Sequence, residues 1–183
     1  AAPAGLAMVH LSERAVGELG PGTFYLDLAA HLKNLEANDT PWTPAVPLFL
    51  ALKEALLLLK EEGLESRLAR THQLAEATRA AVVALGLHLF PDPAHASDTV
   101  TAIRNPEGLA DAQLRKVLAE KYQVLLQGGQ GALKGKIFRI GHMGIASWAD
   151  LLITFAGLER ILAEHGRLPK PGAGLQAIAA GMP

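Results

Sequence analysis

The sequence of 183 residues contains no cysteine. This absence excludes disulfide scaffolds, zinc sites built on thiolates, iron–sulfur clusters and thiol nucleophiles. An excess of charge is also missing, because 17 Lys and Arg residues are matched by 18 Asp and Glu residues, for a formal net charge of −1. Nucleic-acid binding depends on clustered basic residues that neutralise phosphates, so this balance argues against a nucleic-acid partner.

Long apolar runs are absent as well. The longest, over residues 48–59, carries Lys53 and Glu54 in its middle and is shorter than the ~20 residues that cross a bilayer. Apolar residues nevertheless make up 50% of the chain, and a compact protein of this size buries about 70% of its unfolded surface. We therefore expect a soluble protein with a hydrophobic core and no membrane partner.

The first part of the chain is predicted to contain a strand followed by helices. Residues 6–11 form an apolar run typical of a short buried strand, and Ser12 is a typical helix N-cap residue. Apolar spacing predicts helices over 26–35, 47–62 and 64–85, the last two ended by glycine. This order is typical of the end of one domain leading into a connecting helix.

The second part alternates between strands and helices. The pattern predicts strands over 87–90, 99–103, 124–126 and 137–140, and helices over 109–122 and 148–165. Residues 168–183 are rich in Pro, Gly and Ala, which is typical of an arm or a frayed tail. The residues alone thus predict an α+β sandwich with helices on one face of a small mixed or antiparallel sheet.

Common catalytic and ligand-binding motifs are incomplete or missing. Residues 128–136 resemble a P-loop, but Gln130 replaces a required glycine, and Ile137 follows Lys136 where Ser or Thr is needed. The seven histidines lack metal-ligand spacing, and there is no Gly-x-Ser-x-Gly motif. Nucleotide, metal and serine-hydrolase sites are therefore not predicted.

Two features carry a functional prediction. Arg139 lies inside an apolar strand, so its permanent charge must face water, a structural ion pair or an anion, and its planar fork suits a carboxylate. Residues 41–47 precede a predicted helix, where free backbone N–H groups and the Thr43 hydroxyl would suit a phosphate, with Trp42 as a wall. The alternative for this segment is a helix cap bounded by prolines.

Five short segments occur in an order that is found in one family. They are Ala2-Pro3-Ala4-Gly5-Leu6, Phe24-Tyr25-Leu26-Asp27, Trp42-Thr43-Pro44-Ala45-Val46, Gln127-Gly128-Gly129-Gln130-Gly131 and Phe138-Arg139-Ile140-Gly141-His142-Met143-Gly144. Together they resemble the C-terminal half of class V, fold type I pyridoxal-phosphate aminotransferases, and within these the alanine:glyoxylate (serine:pyruvate) aminotransferases. The resemblance extends from residue 1 to about residue 166.

The resemblance implies an α/β fold with three parts. Residues 1–62 would be the end of the large domain that binds pyridoxal phosphate, together with the connecting helix. Residues 63–166 would form a small C-terminal α+β domain with a three- or four-stranded, mostly antiparallel sheet, and residues 167–183 a tail. In this family the Schiff-base lysine precedes the opening segment by a few residues, whereas the first lysine here is Lys33. We therefore expect a fragment, inactive alone, whose Schiff-base lysine lies upstream of Ala1.

The resemblance also implies roles for individual residues. Arg139 matches the arginine that binds the substrate α-carboxylate. Thr43 matches the residue that reaches the cofactor phosphate of the other subunit of a homodimer, and the adjacent Trp42 of this cofactor-binding segment stands where Tyr or His is frequent. The glycines at 128 and 129 would let the backbone approach the mouth of the active site, or simply form a tight connection.

The implied activity is transamination between a small amino acid, alanine or serine, and a small 2-oxo acid, glyoxylate or pyruvate. Its cofactor would be pyridoxal 5′-phosphate, in a cytoplasmic enzyme. Aspartate-preferring and ureidoglycine:glyoxylate aminotransferases remain alternatives, because the residues of the side-chain pocket would lie mostly upstream. An alternative from another class is a catalytically silent subunit that acts in dimerisation or in a larger complex.

Overall fold

A computed structural model describes residues 3–20 and 22–183, which form two compact units with a boundary between residues 61 and 62. Residues 1, 2 and 21 lie outside the described residues. Ala2, which opens the first family-like segment, and Ala1 are among them.

The first unit contains three helices: α1 (Glu13–Gly17), α2 (Leu28–Glu36) and α3 (Val46–Glu62), which ends one residue beyond the boundary. Ser12 is confirmed as an N-cap, because its side chain accepts a 3.3 Å hydrogen bond from the backbone N–H of Ala15. The Asp27 carboxylate caps α2 in the same way, accepting from the backbone N–H of Ala29 at 2.9 Å. Local capping thus explains where the first two helices start.

The strand predicted over 6–11 is wrong, because these residues have no regular secondary structure. Met8 and Val9 are 82% and 60% exposed. A strand is stabilised when a neighbouring strand pairs with its backbone N–H and C=O groups. No described residue of the first unit belongs to a strand.

The second unit follows the predicted alternation of helices and strands. Its elements are α4 (Leu64–Ala84), β1 (Val100–Arg104), α5 (Asp111–Tyr122), β2 (Gln127–Gly128), β3 (Ile137–Gly141), α6 (Trp148–Glu164) and α7 (Ala173–Ala180). Short 3₁₀ turns occupy residues 93–95 and 131–133. The long helices lie within two residues of their predicted bounds.

The three strands form an antiparallel sheet in the order β1-β3-β2, which confirms the small antiparallel sheet. The strand predicted over 87–90 is reduced to one bridge between Leu89 and Ile103, and Pro91 follows it directly. The strand predicted over 124–126 is wrong. The chain turns back there after Gln123, which has a left-handed φ of 56°, and pairing begins only at Gln127.

One face of this sheet is covered by helices. The sheet residues Ile103, Phe138 and Ile140 are buried and belong to the same core cluster as side chains of α4, α5 and α6. The completely buried residues that these three helices give to that core are Leu74, Ala81, Val82, Leu114, Leu118, Phe155 and Leu158. Because side chains alternate along a strand, the intervening residues of β1 and β3 face the opposite side.

Residues 167–183, predicted as a tail, contain a buried helix. In α7, Gly174 and Ile178 are buried, and Ile178 is completely inaccessible. The Glu159 carboxylate on α6 explains the order of this segment, because it accepts hydrogen bonds from the backbone N–H groups of Gly172 (2.7 Å), Gly174 (2.8 Å) and Leu175 (3.1 Å). A carboxylate at the start of a helix satisfies its free N–H groups and its dipole.

None of the helices within residues 3–20 and 22–183 has both the length and the apolar character needed to cross a bilayer.

Candidate functional site

Arg139 lies in the middle of β3 on the sheet face that the helices leave open. Its neighbours in the strand, Phe138 and Ile140, are buried in the core, so Arg139 points the other way and is half-buried. The register places Ala102 of β1 and Gln127 of β2 directly beside it. Arg139 therefore has a small side chain on one side and an exposed amide on the other.

One backbone carbonyl holds the Arg139 guanidinium. Its Nε donates a 3.1 Å hydrogen bond to the carbonyl oxygen of Gly128. Within residues 3–20 and 22–183, no Asp or Glu lies within ion-pair distance of Arg139. The sequence left three environments open for this charge: water, a structural ion pair or an anion. The described residues supply no structural ion pair.

The glycines at 128 and 129 bring the backbone close to Arg139. A side chain at Gly129 would overlap the carbonyl oxygen of Leu133. The Gly129 N–H donates a 3.0 Å hydrogen bond to the carbonyl oxygen of Ile137, which ties the loop to the start of β3. The loop is a tight connection whose backbone lies close to Arg139, and its role at the mouth of an active site stays a prediction.

The loop that follows β3 is held by two arginines of α4. Arg70 donates to the carbonyl oxygens of Ala146 (2.7 Å) and Gly144 (3.1 Å), and Arg67 donates to that of Gly144 (2.6 Å). Glu62 accepts a 2.8 Å hydrogen bond from Arg70 Nε, and this bond holds the pKa of the Glu62 carboxyl below its usual range. The loop that leaves the arginine strand is therefore tied to a helix rather than free.

His142, in the segment that follows Arg139, is completely buried. Its Nε2 lies 2.9 Å from Thr101 Oγ1, and its Nδ1 is buried without a hydrogen-bond partner among the described residues. Burial, together with the nearby positive charge of Arg79, lowers its pKa to about 4, against an opposing effect of Asp98. His142 is thus a neutral residue of the core at neutral pH, although it lies in a family-like segment.

The segment around Thr43 lies in the first unit and contains an aromatic cluster. The Trp42 ring lies 4.3 Å from the ring of Phe24 and 6.0 Å from that of Tyr25, measured between centroids. Trp42 Nε1 is buried and has no acceptor among the described residues. Thr43 is exposed, and its hydroxyl likewise makes no hydrogen bond to the described residues.

The free N–H groups expected at the start of α3 are not present. The backbone N–H groups of Val46, Leu48 and Phe49 already donate to the carbonyl oxygens of Pro44 and Ala45, and Pro47 has no N–H. Among the described residues, the Thr43 hydroxyl, the Trp42 indole and the backbone N–H groups of Thr43 and Ala45 make no hydrogen bond, so these are the donors that the segment can offer to an anion.

A cavity of about 430 Å³ in the second unit does not include Arg139. Apolar side chains of the loop after α5 (residues 124–126), of β3 and of α6 line most of it, together with Asp150 and Thr154. The Asp150 carboxylate is bound within the capping box of α6, and the Thr154 hydroxyl donates to the carbonyl oxygen of Asp150. These two polar groups are occupied within their own helix, so the cavity offers less to a charged ligand than the open sheet face does.

The chain is similar to several curated proteins, although no family model matches it. It is 46% identical over 171 residues to a protein of Methanocaldococcus jannaschii named an uncharacterised aminotransferase, covering 91% of this chain and 44% of that protein. It is 42% identical to a protein of Synechococcus sp. named the small subunit of a soluble hydrogenase, with 97% and 47% covered. Identity is 39% to serine–glyoxylate aminotransferase of Methylorubrum extorquens, with 97% and 46% covered.

The fold is also similar to that of a solved enzyme. The structure of pyridoxamine–pyruvate aminotransferase from Mesorhizobium loti matches with a TM-score of 0.84 and 33% identity, covering 93% of this chain and 46% of that chain. In sequence and fold, the chain corresponds to the C-terminal half of a class V aminotransferase. It spans about half the length of the curated relatives that it matches.

Some residues of this class V aminotransferase chain fit the phosphate of pyridoxal 5′-phosphate. A phosphate accepts hydrogen bonds from neutral donors, and charge strengthens such bonds. Trp42 Nε1 is a buried donor without an acceptor among the described residues, and the Thr43 hydroxyl beside it is also unbound there. The carbonyl oxygen of Trp42 already accepts a 2.7 Å hydrogen bond from the Thr40 hydroxyl, which helps to fix the segment.

Sequence reasoning found Arg139, Thr43 and Trp42 but missed two residues that border the site. Asp111 and Arg115 of α5 form an ion pair next to Gly128. Their spacing of four residues at the start of a helix is a recognisable signal for such a pair. Its position beside the glycine loop depends on how α5 packs against β2, which the local sequence does not indicate.

Proposed function

We propose that the protein containing this chain is a pyridoxal-phosphate-dependent aminotransferase. It would transfer an amino group between a small amino acid, alanine or serine, and a small 2-oxo acid, glyoxylate or pyruvate. The observation that carries the proposal is the Arg139 guanidinium, which is held by a backbone carbonyl on an open sheet face without a carboxylate partner among the described residues. Amino and oxo acids share the carboxylate that such a group binds.

Arg139 would bind and orient the substrate. Its Nε is occupied by Gly128, so its terminal nitrogens remain to donate to a carboxylate. Holding the carboxylate fixes the direction of the substrate Cα–H bond, and orientation of this kind supplies a large part of enzymatic rate enhancement. Pyridoxal 5′-phosphate, when bound, supplies an electron sink for the negative charge left on Cα after the proton is removed.

Thr43 and Trp42 would hold the cofactor phosphate, and Thr43 would do so across the interface of a homodimer. The support is the pair of unbound donors in this segment and the family resemblance of residues 42–46. Mixing Arg139→Ala subunits with Thr43→Ala subunits tests the composite site, because the mixed dimer would contain one site with both native residues. Activity that stays at the sum of the separate variants would contradict the composite site.

A cytoplasmic location follows from the resemblance alone, and cell fractionation tests this location.

The test of the substrate role is Arg139→Ala in the complete protein. Loss of one partner of a desolvated charge pair costs about 2–5 kcal/mol, so KM for both amino and oxo acids rises strongly. Arg104→Ala is the matched control, because Arg104 lies at the exposed end of β1 with its guanidinium 5.1 Å from the centre of the Phe90 ring. Unchanged KM values in Arg139→Ala would refute the assignment.

The choice of amino donor stays open between several substrates. Alanine, serine, aspartate and ureidoglycine all present a carboxylate to Arg139, and the residues that bind the rest of the substrate would lie mostly upstream. Measuring kcat/KM for each donor with glyoxylate as acceptor separates the alanine and serine proposal from the aspartate and ureidoglycine alternatives.

The similarity to a protein named as a hydrogenase subunit favours a second candidate, a subunit of a larger complex without transamination. The two candidates differ in what the complete protein does with pyridoxal 5′-phosphate. An aminotransferase retains the cofactor through purification and converts an amino acid with an oxo acid. A protein that shows neither property supports the silent subunit.

A further inference from the structure

An ion pair on α5 lies over β2, on the sheet face that the helices cover. Arg115 Nε donates to Asp111 Oδ1 and Arg115 Nη2 donates to Asp111 Oδ2, both at 2.9 Å, so the pair is bidentate. The Asp111 side chain is only 6% exposed and that of Arg115 31% exposed. The hydrogen bonds to Asp111 raise the pKa of Arg115.

This pair is in direct contact with the backbone of Gly128. A Cβ atom added to Gly128 would lie 2.9 Å from Asp111 Oδ2 and 3.0 Å from Arg115 Nη2. Contacts this short leave no space for a side chain, so the two charged groups define how far Gly128 can move toward α5.

On its other side, Gly128 is joined to Arg139. Its carbonyl oxygen accepts the 3.1 Å hydrogen bond from Arg139 Nε. Strand β2 contains only two residues and pairs with β3 alone, so the sheet itself holds Gly128 weakly. The ion pair therefore lies beside the residue whose carbonyl accepts the hydrogen bond from Arg139.

We propose that Asp111 and Arg115 are positioning residues for Arg139. Their ion pair fixes Gly128, and the Gly128 carbonyl directs the Arg139 guanidinium toward a carboxylate ligand. The identity of that ligand rests on the proposed function, whereas the positioning of Arg139 does not.

The charges support the same arrangement. Asp111 neutralises Arg115, so the guanidinium nearest to the glycine loop does not compete for an incoming carboxylate. Arg139 keeps its full charge, because among the described residues it has only a neutral carbonyl as acceptor. Loss of Asp111 would release Arg115 to compete for the carbonyl or the ligand.

The first experiment measures hydrogen exchange of the Arg139 Nε–H group by NMR in the full chain. In Asp111→Asn, which keeps the shape of the side chain, we expect this group to exchange about tenfold faster than in the wild type. Arg115→Lys keeps the charge but not the planar fork, and is expected to give a smaller increase. It serves as the second variant if Asp111→Asn does not fold.

The matched control lies on the same helix. Lys116 and Glu120 form a second pair at the same spacing, 3.8 Å apart and 71% and 64% exposed. Lys116→Gln is expected to leave the exchange of Arg139 Nε–H unchanged. If Asp111→Asn and Arg115→Lys lower the unfolding free energy but leave that exchange as in the wild type, the pair has only a structural role and the proposal is wrong.

A second readout uses the complete protein and separates the two proposals. Misorientation of Arg139 is expected to raise KM for amino and oxo acids about tenfold in Asp111→Asn. It is also expected to lower kcat, because the bound carboxylate then no longer fixes the direction of the substrate Cα–H bond. A wild type without transaminase activity would overturn the proposed function, and the exchange measurement would still decide the positioning. An active enzyme whose KM does not change in Asp111→Asn would overturn the positioning role alone.

Discussion

Helices α3 and α6 have the same length, 17 residues, but opposite environments. α3 contains seven leucines, and none of its residues is buried. α6 has eight buried residues and supplies Phe155, Leu158 and Leu162 to the core. Composition makes both segments helical, but only the second has neighbours that cover its apolar surface.

The same contrast separates the two units. None of the described residues up to 61 is buried, whereas all the buried side chains belong to residues 62–183. A helix that is apolar on most sides is normally a buried helix. The first unit therefore has helices that are defined by capping and propensity, and the second has a core whose side chains stabilise one another.

The largest expected difference between the units comes from removing a phenylalanine. Phe155 of α6 is completely buried, whereas Phe49 of α3 is 50% exposed. Phe155→Ala is expected to lower the free energy of unfolding by about 3–5 kcal/mol, because it removes buried apolar surface and leaves a cavity. Phe49→Ala is expected to lower it by less than about 0.5 kcal/mol. Urea denaturation of the full chain measures both.

Equal effects of the two variants would break the comparison, because α3 would then contribute to the cooperative core. The same two measurements in the complete protein make the comparison of α3 with α6 sharper. If α3 is covered there, Phe49→Ala becomes costly while the effect of Phe155→Ala remains.

Local signals explain which parts of the fold could be predicted. Helix α4 ends where predicted because Gly86 adopts a φ of +70° after it, a conformation that favours glycine. Two segments whose structure depends on distant residues were predicted wrongly. Residues 6–11 look like a strand but have no partner strand within the described part of their unit, and α7 is ordered by Glu159, which lies 13 residues before Gly172.

Local sequence patterns likewise predicted only part of the candidate site. Arg139 could be recognised because a charged residue interrupts an apolar strand, and this needs only the local pattern. Thr43 and Trp42 were indicated by their place before a predicted helix and then by the resemblance. The N–H groups of Val46, Leu48 and Phe49, at the start of that helix, are already bonded. The contact of Asp111 with Gly128 joins residues 17 positions apart, and no local pattern contains it.

The two units are also expected to differ in how pH affects their stability. Burial lowers the pKa of His142 from its ordinary value of 6.5 to about 4. Between these two pH values, His142 binds a proton in the unfolded state but not in the folded state. The contribution of this shift to the free energy of unfolding is fully present above pH 6.5. It is lost as the pH drops toward 4, by about 3 kcal/mol in total. Denaturation of the wild type and of His142→Gln at several pH values measures this slope, which the variant is expected to lose.

His31 of α2 is the matched control for this prediction, because it is an exposed histidine of the first unit. His31→Gln is expected to keep the pH profile of the wild type. A profile that flattens in His31→Gln, or that persists in His142→Gln, would mean that the buried core of the second unit is not the source of the acid sensitivity.

The smallest expected difference concerns two helix caps. Ser147 forms a capping box with Asp150 at the start of α6, and Asp27 caps α2 by accepting from the backbone N–H groups of Ala29 and Ala30. Ser147→Ala is expected to lower the free energy of unfolding by about 1 kcal/mol, because α6 must form for the core to form. Asp27→Ala removes an equivalent cap from a helix with no buried residues, so it is expected to reduce the helical circular dichroism signal without moving the denaturation midpoint. A midpoint that shifts as much in Asp27→Ala as in Ser147→Ala would show that α2 unfolds together with the core, and the two units would then form one cooperative structure.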